Sequence, residues 1–456
     1  MSVPVDAVVM GLGPGGEEVA GRLAQAGLEV VGIDGGLVGG ECPYWGCVPS
    51  KMMIRAANLL AEGRRIEGMA GRSEVTPDWS VVARRIRQEA TDDWDDQVAV
   101  ERLQGKGARF VRGWARLLGR RAVEVEGEVF EARRAIVLDT GASPWLAPVP
   151  GLSDTGYWTN RHAVEAMELP RSLTVLGGGA IGAELGQVFS RFGVAVTVVE
   201  AADRLLALEE PEAGELLAGV FGEEGIAVHT GARITGARQD ADGIVLDLDG
   251  VGPIAGERLL AATGRRPDLA ALGVAALGLD DTARALPVDE HMRVADGVWA
   301  VGDVTGKGAF THMSMYQAAI AVDDILGGGG PGAKYHAVPR VTFTDPEIGS
   351  VGMSEADARS SGLEVRTGSS QIPSSSRGWI HKAGNAGFVK LVEDARRGVL
   401  VGATSAGPTG GEVLGLLTLA VHAAVPVDEL ARMIYAYPTF HRAVEDAVRD
   451  LREPQQ

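Results

Sequence analysis

The feature that most constrains this chain is an internal repeat of one strand–glycine loop–helix–strand unit. An apolar run leads into a Gly-x-Gly-x-x-Gly loop that begins at Gly11, and after a helical pattern a second apolar run ends at Asp34. The same order recurs from the loop that begins at Gly177 to the strand that ends at Glu200. Gly177 follows Gly11 by 166 residues, and Glu200 follows Asp34 by the same number. The equal offsets indicate two copies of one nucleotide-binding unit.

The glycine loops have a specific chemical use. Their first glycine permits the tight turn, the second lets the backbone approach a pyrophosphate, and the third lets the helix pack on the strand. Phosphates then lie at a helix N-terminus, where unpaired N–H groups and the helix dipole favour anions. One such loop can be an ordinary glycine turn of an α/β protein. Two loops in register, each followed by an acid that can bind ribose hydroxyls, predict two dinucleotide sites.

Three further strand ends are candidate walls of these sites. Strand patterns near residues 135–138, 259–262 and 298–301 end in the turns 140–144, 263–267 and 302–303. Ligands of open parallel sheets bind at the carboxyl ends of strands. Each turn taken singly can also be an ordinary β-turn.

A glycine-rich stretch at 327–332 is the clearest linker. Beyond it, strand patterns alternate with helical ones and no phosphate loop occurs, which predicts an α+β module that forms an interface or a substrate wall.

Length and charge narrow the function classes. A chain of 456 residues suggests about three domains. Its formal net charge of −18 disfavours binding to nucleic acid or to an anionic membrane surface. No run of eighteen apolar residues and no signal sequence is recognisable, so we expect a cytoplasmic protein without a membrane partner. No metal site is predicted.

The only two cysteines, Cys42 and Cys47, lie just beyond the first acid. Three interpretations are open. The cysteines can be half of a zinc site, although no His pair nearby completes it, or they can be unreactive buried thiols. They can also be a redox dithiol, because cytosolic disulfides are usually catalytic. Pro49 and Ser50 suit the first turn of a helix, which places Cys47 near a helix N-terminus. That position and the nearby Lys51 favour the reactive thiolate, although Lys51 can also be a solvated helix residue.

Taken in order, GxGxxG…Asp, GGxCxxxxCxPSK, the second GxGxxG…Glu, TGRxPD and a strand ending in Gly-Asp resemble the class I pyridine nucleotide–disulfide oxidoreductases. This family includes dihydrolipoamide dehydrogenase, glutathione reductase and mercuric reductase. The resemblance implies an α/β fold with two Rossmann-like domains, for FAD and NAD(P), and a C-terminal α+β dimerisation domain. The implied boundaries are 1–150 for the first part of the FAD domain, 151–265 for the NAD(P) domain, 266–330 for the second FAD part and 335–456 for the dimerisation domain.

The resemblance also implies cofactor contacts at two groups of residues. The candidates for FAD, and for the region around its ring, are Gly11, Gly13, Pro14, Gly15, Gly16, Asp34, Gly35, Gly40, Glu41, Lys51, Ala115, Thr140, Gly141, Gly302, Asp303, Phe310, Thr311 and His312. The candidates for the nicotinamide dinucleotide are Gly177, Gly179, Ile181, Gly182, Glu200 and Gly264. A carboxylate at position 200 suits free ribose hydroxyls and repels a 2′-phosphate, so we expect NADH rather than NADPH, with Arg204 as a weak contrary sign.

The catalytic roles follow from the same resemblance. Electrons would pass from nicotinamide through the flavin to a Cys42–Cys47 disulfide and on to a small disulfide or dithiol substrate. Cys47 would face the flavin, Cys42 would exchange with substrate, and a Lys51–Glu184 pair would tune the flavin. The family is homodimeric, and each partner chain completes the other's active site.

One departure affects substrate choice. Disulfide-reducing members carry His-Pro-Thr-x-x-Glu near the C-terminus, whereas here Tyr437 replaces the His and Arg442 the Glu. Tyrosine is a poor base at neutral pH but can donate a hydrogen bond. His441 is a candidate displaced base or a surface residue. A metal-ion or quinone reductase, and a low-turnover flavoprotein subunit of a larger complex, are therefore alternatives to a disulfide reductase.

Overall fold

The computed structural model describes residues 2–453. Residue 1 and residues 454–456, at the ends of the first and last predicted domains, lie outside the described part. The chain forms two compact units. The first comprises residues 1–50, 83–145 and 264–334, and the second residues 51–82, 146–263 and 335–456. The structure thus groups residues 51–82 with the second unit, and the four predicted boundaries stay a prediction.

The first unit is built on a mostly parallel sheet with the first glycine unit at its centre. In spatial order its strands are Arg293–Ala295, Val298–Ala300, Glu128–Leu138, Ser2–Met10, Val30–Asp34 and Arg109–Arg112. Arg116–Leu117 and Ala122–Val125 extend it as an antiparallel hairpin, and Ser143–Pro144 pairs separately with Arg265–Arg266. Residues 7–10 of the central strand are apolar and buried, as expected where helices cover both faces of a parallel sheet.

The helices of this unit connect and cover the strands. The α-helices are Pro14–Gln25, Glu41–Tyr44, Gln97–Gly105, Leu269–Leu272 and Thr311–Ile325. Single turns of other helix types lie at Ile86–Ala90, Asp92–Trp94, Val274–Leu277 and Gly302–Thr305. Two further helices, Cys47–Arg64 and Trp79–Arg85, run from one unit into the other in sequence.

The second unit begins with the second glycine unit. Its parallel sheet has the order Ala227–His229, Ala195–Val199, Ser172–Leu176 and Arg258–Ala261. An antiparallel sheet follows, made of Ile234–Gln239, Ile244–Leu248 and Gly252–Gly256. The helices are Leu152–Asp154, Asn160–Glu165, Ala180–Arg191 and Pro211–Glu223.

The C-terminal part of the second unit is an antiparallel sheet with helices. The strands, in spatial order, are Pro339–Thr342, Glu347–Gly352, Val399–Gly407, Phe388–Asp394 and Val365–Gln371. The helices are Glu355–Ser360, Ile372–Ser374, Ser376–His381, Gly410–His422, Val427–Arg432 and Arg442–Arg452. The expected fold class, two Rossmann-like domains followed by an α+β module, is confirmed. Within residues 2–453, no helix combines the length and the apolar character that crossing a bilayer requires.

Candidate active site

The first glycine loop is tied to the acid that follows the second strand. Gly11 directly follows the first strand and donates its N–H to the Ile33 carbonyl. The Asp34 carboxylate accepts hydrogen bonds from the Leu12 N–H at 2.6 Å and the Gly36 N–H at 2.7 Å. Burial, the largest influence, raises the pKa of Asp34, and the two backbone N–H donors oppose that rise. The acid therefore fixes the loop, and its contact with a ribose stays a prediction.

The second glycine loop repeats this bonding atom for atom. Glu200 accepts the Gly178 N–H at 2.5 Å and the Ala202 N–H at 2.7 Å. Each donor lies 166 residues beyond its counterpart in the first loop, so the sequence repeat is also a repeat of hydrogen bonds.

Gly11 and Gly177 both need to be glycine. Their φ angles are +85° and +110°, in the left-handed region. A Cβ at Gly11 would overlap the Asp139 carbonyl oxygen, and one at Gly177 would overlap that of Ala262. Each loop therefore packs against the next strand end of its own sheet, as the first glycine of the motif requires.

The other candidate residues of the two loops lie at the helix starts. Gly13 precedes the helix that begins at Pro14 and contains Gly15 and Gly16. Gly179 precedes the helix that contains Ile181 and Gly182. No heavy atom lies within 4 Å of an added Cβ at Gly179, so this glycine faces open space. The Ile181 side chain is exposed and can therefore contact a ligand.

The turns at the strand ends lie at the edge expected for ligand contacts. Gly141 and Gly264 both have positive φ, and Gly302 donates its N–H to Gln317 at 2.7 Å. Asp303 follows in a helical turn. Burial raises its pKa, while the charge of Arg265 opposes this. Arg265 also lies 3.6 Å from Glu41, which begins the short helix Glu41–Tyr44.

Three further candidates lie around the loops. Gly40 precedes the Glu41–Tyr44 helix, and an added Cβ there would lie 3.0 Å from the Gly13 Cα. Gly35 packs against the Trp114 ring. Ala115 is partly buried against the apolar core of the first unit.

The two cysteines lie side by side as free thiols. Cys47 is the first residue of the helix Cys47–Arg64, and the Cys42 and Cys47 side chains are hydrogen bonded. Both sulfurs are free thiols here, and the Cys42–Cys47 disulfide stays a prediction. The hydrogen bond to Cys47 and burial raise the pKa of Cys42, which disfavours its thiolate.

The Thr311 side chain lies against this pair. Its hydroxyl oxygen is 3.3 Å from the Cys47 sulfur. Thr311 begins the helix Thr311–Ile325, directly after Phe310, whose ring stacks on that of His312 with centroids 5.1 Å apart. The sequence analysis predicted residues 310–312 as cofactor contacts. The structure places the Thr311 hydroxyl of this segment against the redox pair.

In the second unit, Lys51 and Glu184 form an ion pair. The Lys51 Nζ lies 2.8 Å from Glu184 Oε2, and Glu184 Oε1 accepts the Phe343 N–H at 2.8 Å. Lys51 also lies over the Phe343 ring, 4.6 Å from its centroid. Glu184 is buried away from water. Each of its carboxylate oxygens has a hydrogen-bond partner in the protein, which a buried charge requires.

The C-terminal candidates lie at the start of the last helix. Tyr437 has 68 % of its surface exposed, and the Arg442 guanidinium lies 5.5 Å from its ring centroid. His441 precedes the helix Arg442–Arg452 and makes no capping hydrogen bond with its side chain. Arg442 pairs with Glu445 at 3.1 Å, one turn further along. The Glu445 carboxylate is thus paired with the arginine that stands at the expected Glu position.

Comparison with known proteins decides the family. The model of the pyridine nucleotide-disulphide oxidoreductases matches residues 5–322, and the model of their dimerisation domain matches residues 338–448. The chain belongs to this family.

Individual relatives agree with that assignment. A dihydrolipoyl dehydrogenase of Thermus scotoductus is 31 % identical, covering 98 % of this chain and 97 % of that protein. A mercuric reductase of Bacillus cereus is 30 % identical, covering 97 % of this chain and 71 % of that protein. The Cu(II) complex of the HOCl-induced flavoprotein disulfide reductase RclA from Escherichia coli has a TM-score of 0.86 at 25 % identity, over 98 % of this chain and 99 % of that one.

As a pyridine nucleotide-disulphide oxidoreductase, the protein is a flavoprotein enzyme that uses FAD, and its dimerisation domain supports a homodimer. The residues present fit FAD. Thr140, at the strand end beside the first glycine loop, has a buried hydroxyl oxygen with no hydrogen-bond partner among the described residues. A hydroxyl in that state fits a polar group of a ligand.

One residue of this oxidoreductase site escaped the sequence analysis. Asp139 is buried, and its carboxylate accepts the Gly16 N–H at 2.7 Å and the Ser314 hydroxyl at 3.1 Å. Burial raises its pKa to about 8. Asp139 directly follows the buried strand that ends at Leu138. An acid in that position could have been predicted from the sequence to bind either the glycine loop or a ligand.

Proposed function

We propose that this oxidoreductase passes electrons from NADH through FAD to the Cys42–Cys47 pair and on to a small disulfide substrate. One observation carries the proposal: two thiols, the only ones in the chain, are hydrogen bonded to each other at a helix N-terminus. A thiol pair in this position is typical of a redox dithiol. In that cycle the dithiol is the reduced half.

Cofactor binding is assigned to the two glycine loops. The first loop, Asp34 and Thr140 would hold FAD, which supplies a two-electron redox centre when bound. The second loop and Glu200 would hold the nicotinamide dinucleotide. Lys51 and Glu184 are proposed to tune the flavin, as the family resemblance implies.

The preference for NADH over NADPH rests on Glu200. Its carboxylate is fixed by two backbone N–H donors and would repel a 2′-phosphate. Arg204, the residue best suited to bind such a phosphate, already pairs with Asp203 at 3.1 Å and donates to the Ala207 carbonyl at 3.0 Å.

The exchange chemistry is a balanced thiol–disulfide transfer. The Cys42 thiolate attacks one sulfur of the substrate disulfide, forms a mixed disulfide and releases the first half of the substrate as a thiolate. Cys47 then attacks the Cys42 sulfur, which forms the protein disulfide and releases the second half. Because Cys42 holds its proton tightly and Tyr437 is a poor base, we propose slow exchange at neutral pH.

The substrate site is proposed to be completed by the partner chain of a homodimer in the cytoplasm. Tyr437 and its neighbour Ile434 are strongly exposed in the single chain, at 68 % and 95 %. Large apolar side chains this open commonly lie at a protein–protein interface. The Tyr437 hydroxyl would donate a hydrogen bond to the bound substrate.

Two cysteine variants test the proposal. Anaerobic reduction of the wild-type holoenzyme by NADH should produce a long-wavelength absorbance band, and Cys47→Ser should lack it. Cys42→Ser should retain the band and lose NADH-driven reduction of disulfides. A band that persists in Cys47→Ser, or disulfide reduction that survives Cys42→Ser, would show that the thiols have been assigned wrongly.

A metal-ion reductase is a second candidate. It is favoured by the absent His base together with the similarity to a mercuric reductase and to a Cu(II) complex of RclA. Soft thiolates suit both metals as substrates. NADH-driven reduction of Hg(II) or Cu(II) that requires both cysteines, without turnover of any disulfide, would favour it. Quinone reduction directly from the flavin would instead survive Cys42→Ser.

A further inference from the structure

A strained turn lies beside the redox pair in the first unit. Asp92, Asp93 and Trp94 have φ angles of 48°, 57° and 61° in succession. Side chains with a Cβ disfavour this left-handed region, and residues that adopt it usually do so singly. A π-helical turn, Ile86–Ala90, ends two residues before Asp92, and this feature is often found at functional sites. Such a costly backbone persists only where the surrounding structure holds it.

The turn directs the Trp94 indole to the segment between the cysteines. The Trp94 Nε1 donates a hydrogen bond to the Tyr44 carbonyl oxygen at 3.2 Å. Tyr44 ends the single helical turn Glu41–Tyr44, and carbonyls at a helix end have no partner within the helix. The Arg87 guanidinium lies over the Trp94 ring, 4.9 Å from the centroid, and is a second contact that holds the indole. Trp94 therefore anchors the redox loop, residues 42–47.

A second anchor lies two residues further on. The buried Asp96 carboxylate accepts the Val38 N–H at 2.7 Å and pairs with Arg112 at 2.6 Å. Val38 belongs to the chain that leads into the redox loop. Residues 94 and 96 thus hold this chain at two points, one before the first cysteine and one between the two cysteines.

We infer that Trp94 is a positioning residue that keeps Cys42 and Cys47 close enough to form their disulfide readily. This rests on the proposed function, in which the pair cycles between dithiol and disulfide. Closing the disulfide removes two electrons and two protons from the thiols, and oxidised dithiothreitol can accept them. A fixed loop keeps the two sulfurs at high effective concentration, so a loosened loop shifts the equilibrium toward the dithiol.

The test is the dithiol–disulfide equilibrium of the holoenzyme in buffers of reduced and oxidised dithiothreitol. Free thiols are trapped with a maleimide and counted by mass spectrometry. Trp94→Phe keeps an aromatic ring but loses the N–H donor. The constant for disulfide formation should fall about threefold to tenfold, the effect expected for one hydrogen bond. An unchanged or larger constant overturns the inference.

Trp79 provides a matched control. Its indole donates a comparable hydrogen bond, 2.8 Å long, to the Ala166 carbonyl, and both residues lie in the second unit. Trp79→Phe should leave the thiol equilibrium unchanged. An equal shift in Trp79→Phe would mean that the loss of any indole hydrogen bond loosens the whole protein. That result would also overturn the inference.

Two further measurements separate the possible failures. If Trp94→Phe does not fold, as judged by a thermal melt, Asp92→Gly/Trp94→Phe carries the test, because glycine accepts a φ of 48° without a Cβ clash. Asp92→Gly alone should keep the wild-type equilibrium. A wild-type holoenzyme that forms no Cys42–Cys47 disulfide in any buffer would refute the proposed function itself. A normal wild-type disulfide with an unaffected Trp94→Phe would refute only the role of Trp94.

Discussion

The Lys51 ammonium lies 2.8 Å from the buried carboxylate of Glu184. Lys51 is itself about one-third exposed, so the pair joins a partly solvated cation to an anion that has lost most of its water. Removing the cation leaves the Glu184 charge with the Phe343 N–H as its one remaining hydrogen-bond donor among residues 2–453.

Lys51→Met should therefore lower the free energy of unfolding by about 1–3 kcal/mol, less than for a fully buried pair because the lysine is partly exposed. Lys51→Met/Glu184→Gln should recover most of that loss, since the buried charge is then removed together with its partner. Chemical denaturation of the three proteins measures both effects. A double variant less stable than the single one would contradict this account of the pair.

Asp139 predicts a pH dependence of stability. Its pKa is about 8 in the folded protein and 3.8 in its ordinary state, so folding favours the protonated form. The contribution of protonated Asp139 to the free energy of unfolding is complete below about pH 4 and is lost as the pH rises toward 8. Between pH 5 and pH 8 the free energy of unfolding should fall, by up to about 1.4 kcal/mol per pH unit from this group.

Asp139→Asn is the variant for that test. The amide oxygen can still accept the Gly16 N–H, but the side chain no longer titrates. Between pH 5 and pH 8, the free energy of unfolding of the variant should fall less steeply than that of the wild type. Near pH 8 the variant should be as stable as the wild type or more stable. Identical pH profiles of unfolding would mean that the Asp139 proton is not linked to folding.

Glu200 predicts the choice of nicotinamide cofactor. Glu200→Ser should raise the KM for NADH about tenfold or more, because hydrogen bonds between a carboxylate and the ribose hydroxyls are lost. It should also narrow the gap between NADH and NADPH, because the repulsion of a 2′-phosphate disappears. Steady-state kinetics with both cofactors provide the measurement. Glu223→Ser, at an exposed acid on the helix Pro211–Glu223, is the control and should change neither value.

The raised pKa of Cys42 predicts slow disulfide exchange at neutral pH. Only the thiolate attacks a disulfide, so the rate should rise as the pH increases above 7. Tyr437→His should raise kcat at pH 7 about tenfold or more by supplying a base. Tyr437→Phe should leave the steep pH profile in place. If the wild type shows a flat profile from pH 6 to pH 9, proton removal from Cys42 does not limit exchange.

The sequence determined which segments form nucleotide sites. Its repeat, at an offset of 166 residues, set two glycine loops and two acids in equivalent places, because local backbone and hydrogen-bond requirements are encoded by nearby residues. The strands at 5–10 and 173–176 were predictable for the same reason, and the structure extends them to Ser2–Met10 and Ser172–Leu176. The two cysteines beside a helix start were equally visible.

The tertiary structure decided which distant groups meet. Asp139 lies 123 residues from Gly16 in sequence, Trp94 lies 50 residues from Tyr44, and Phe343 lies 159 residues from Glu184, yet each pair is hydrogen bonded. No local periodicity records such contacts, because they depend on how whole strands and helices pack. The left-handed turn at Asp92–Trp94 was invisible for a related reason: its residues do not favour that backbone, and contacts formed elsewhere in the fold hold it.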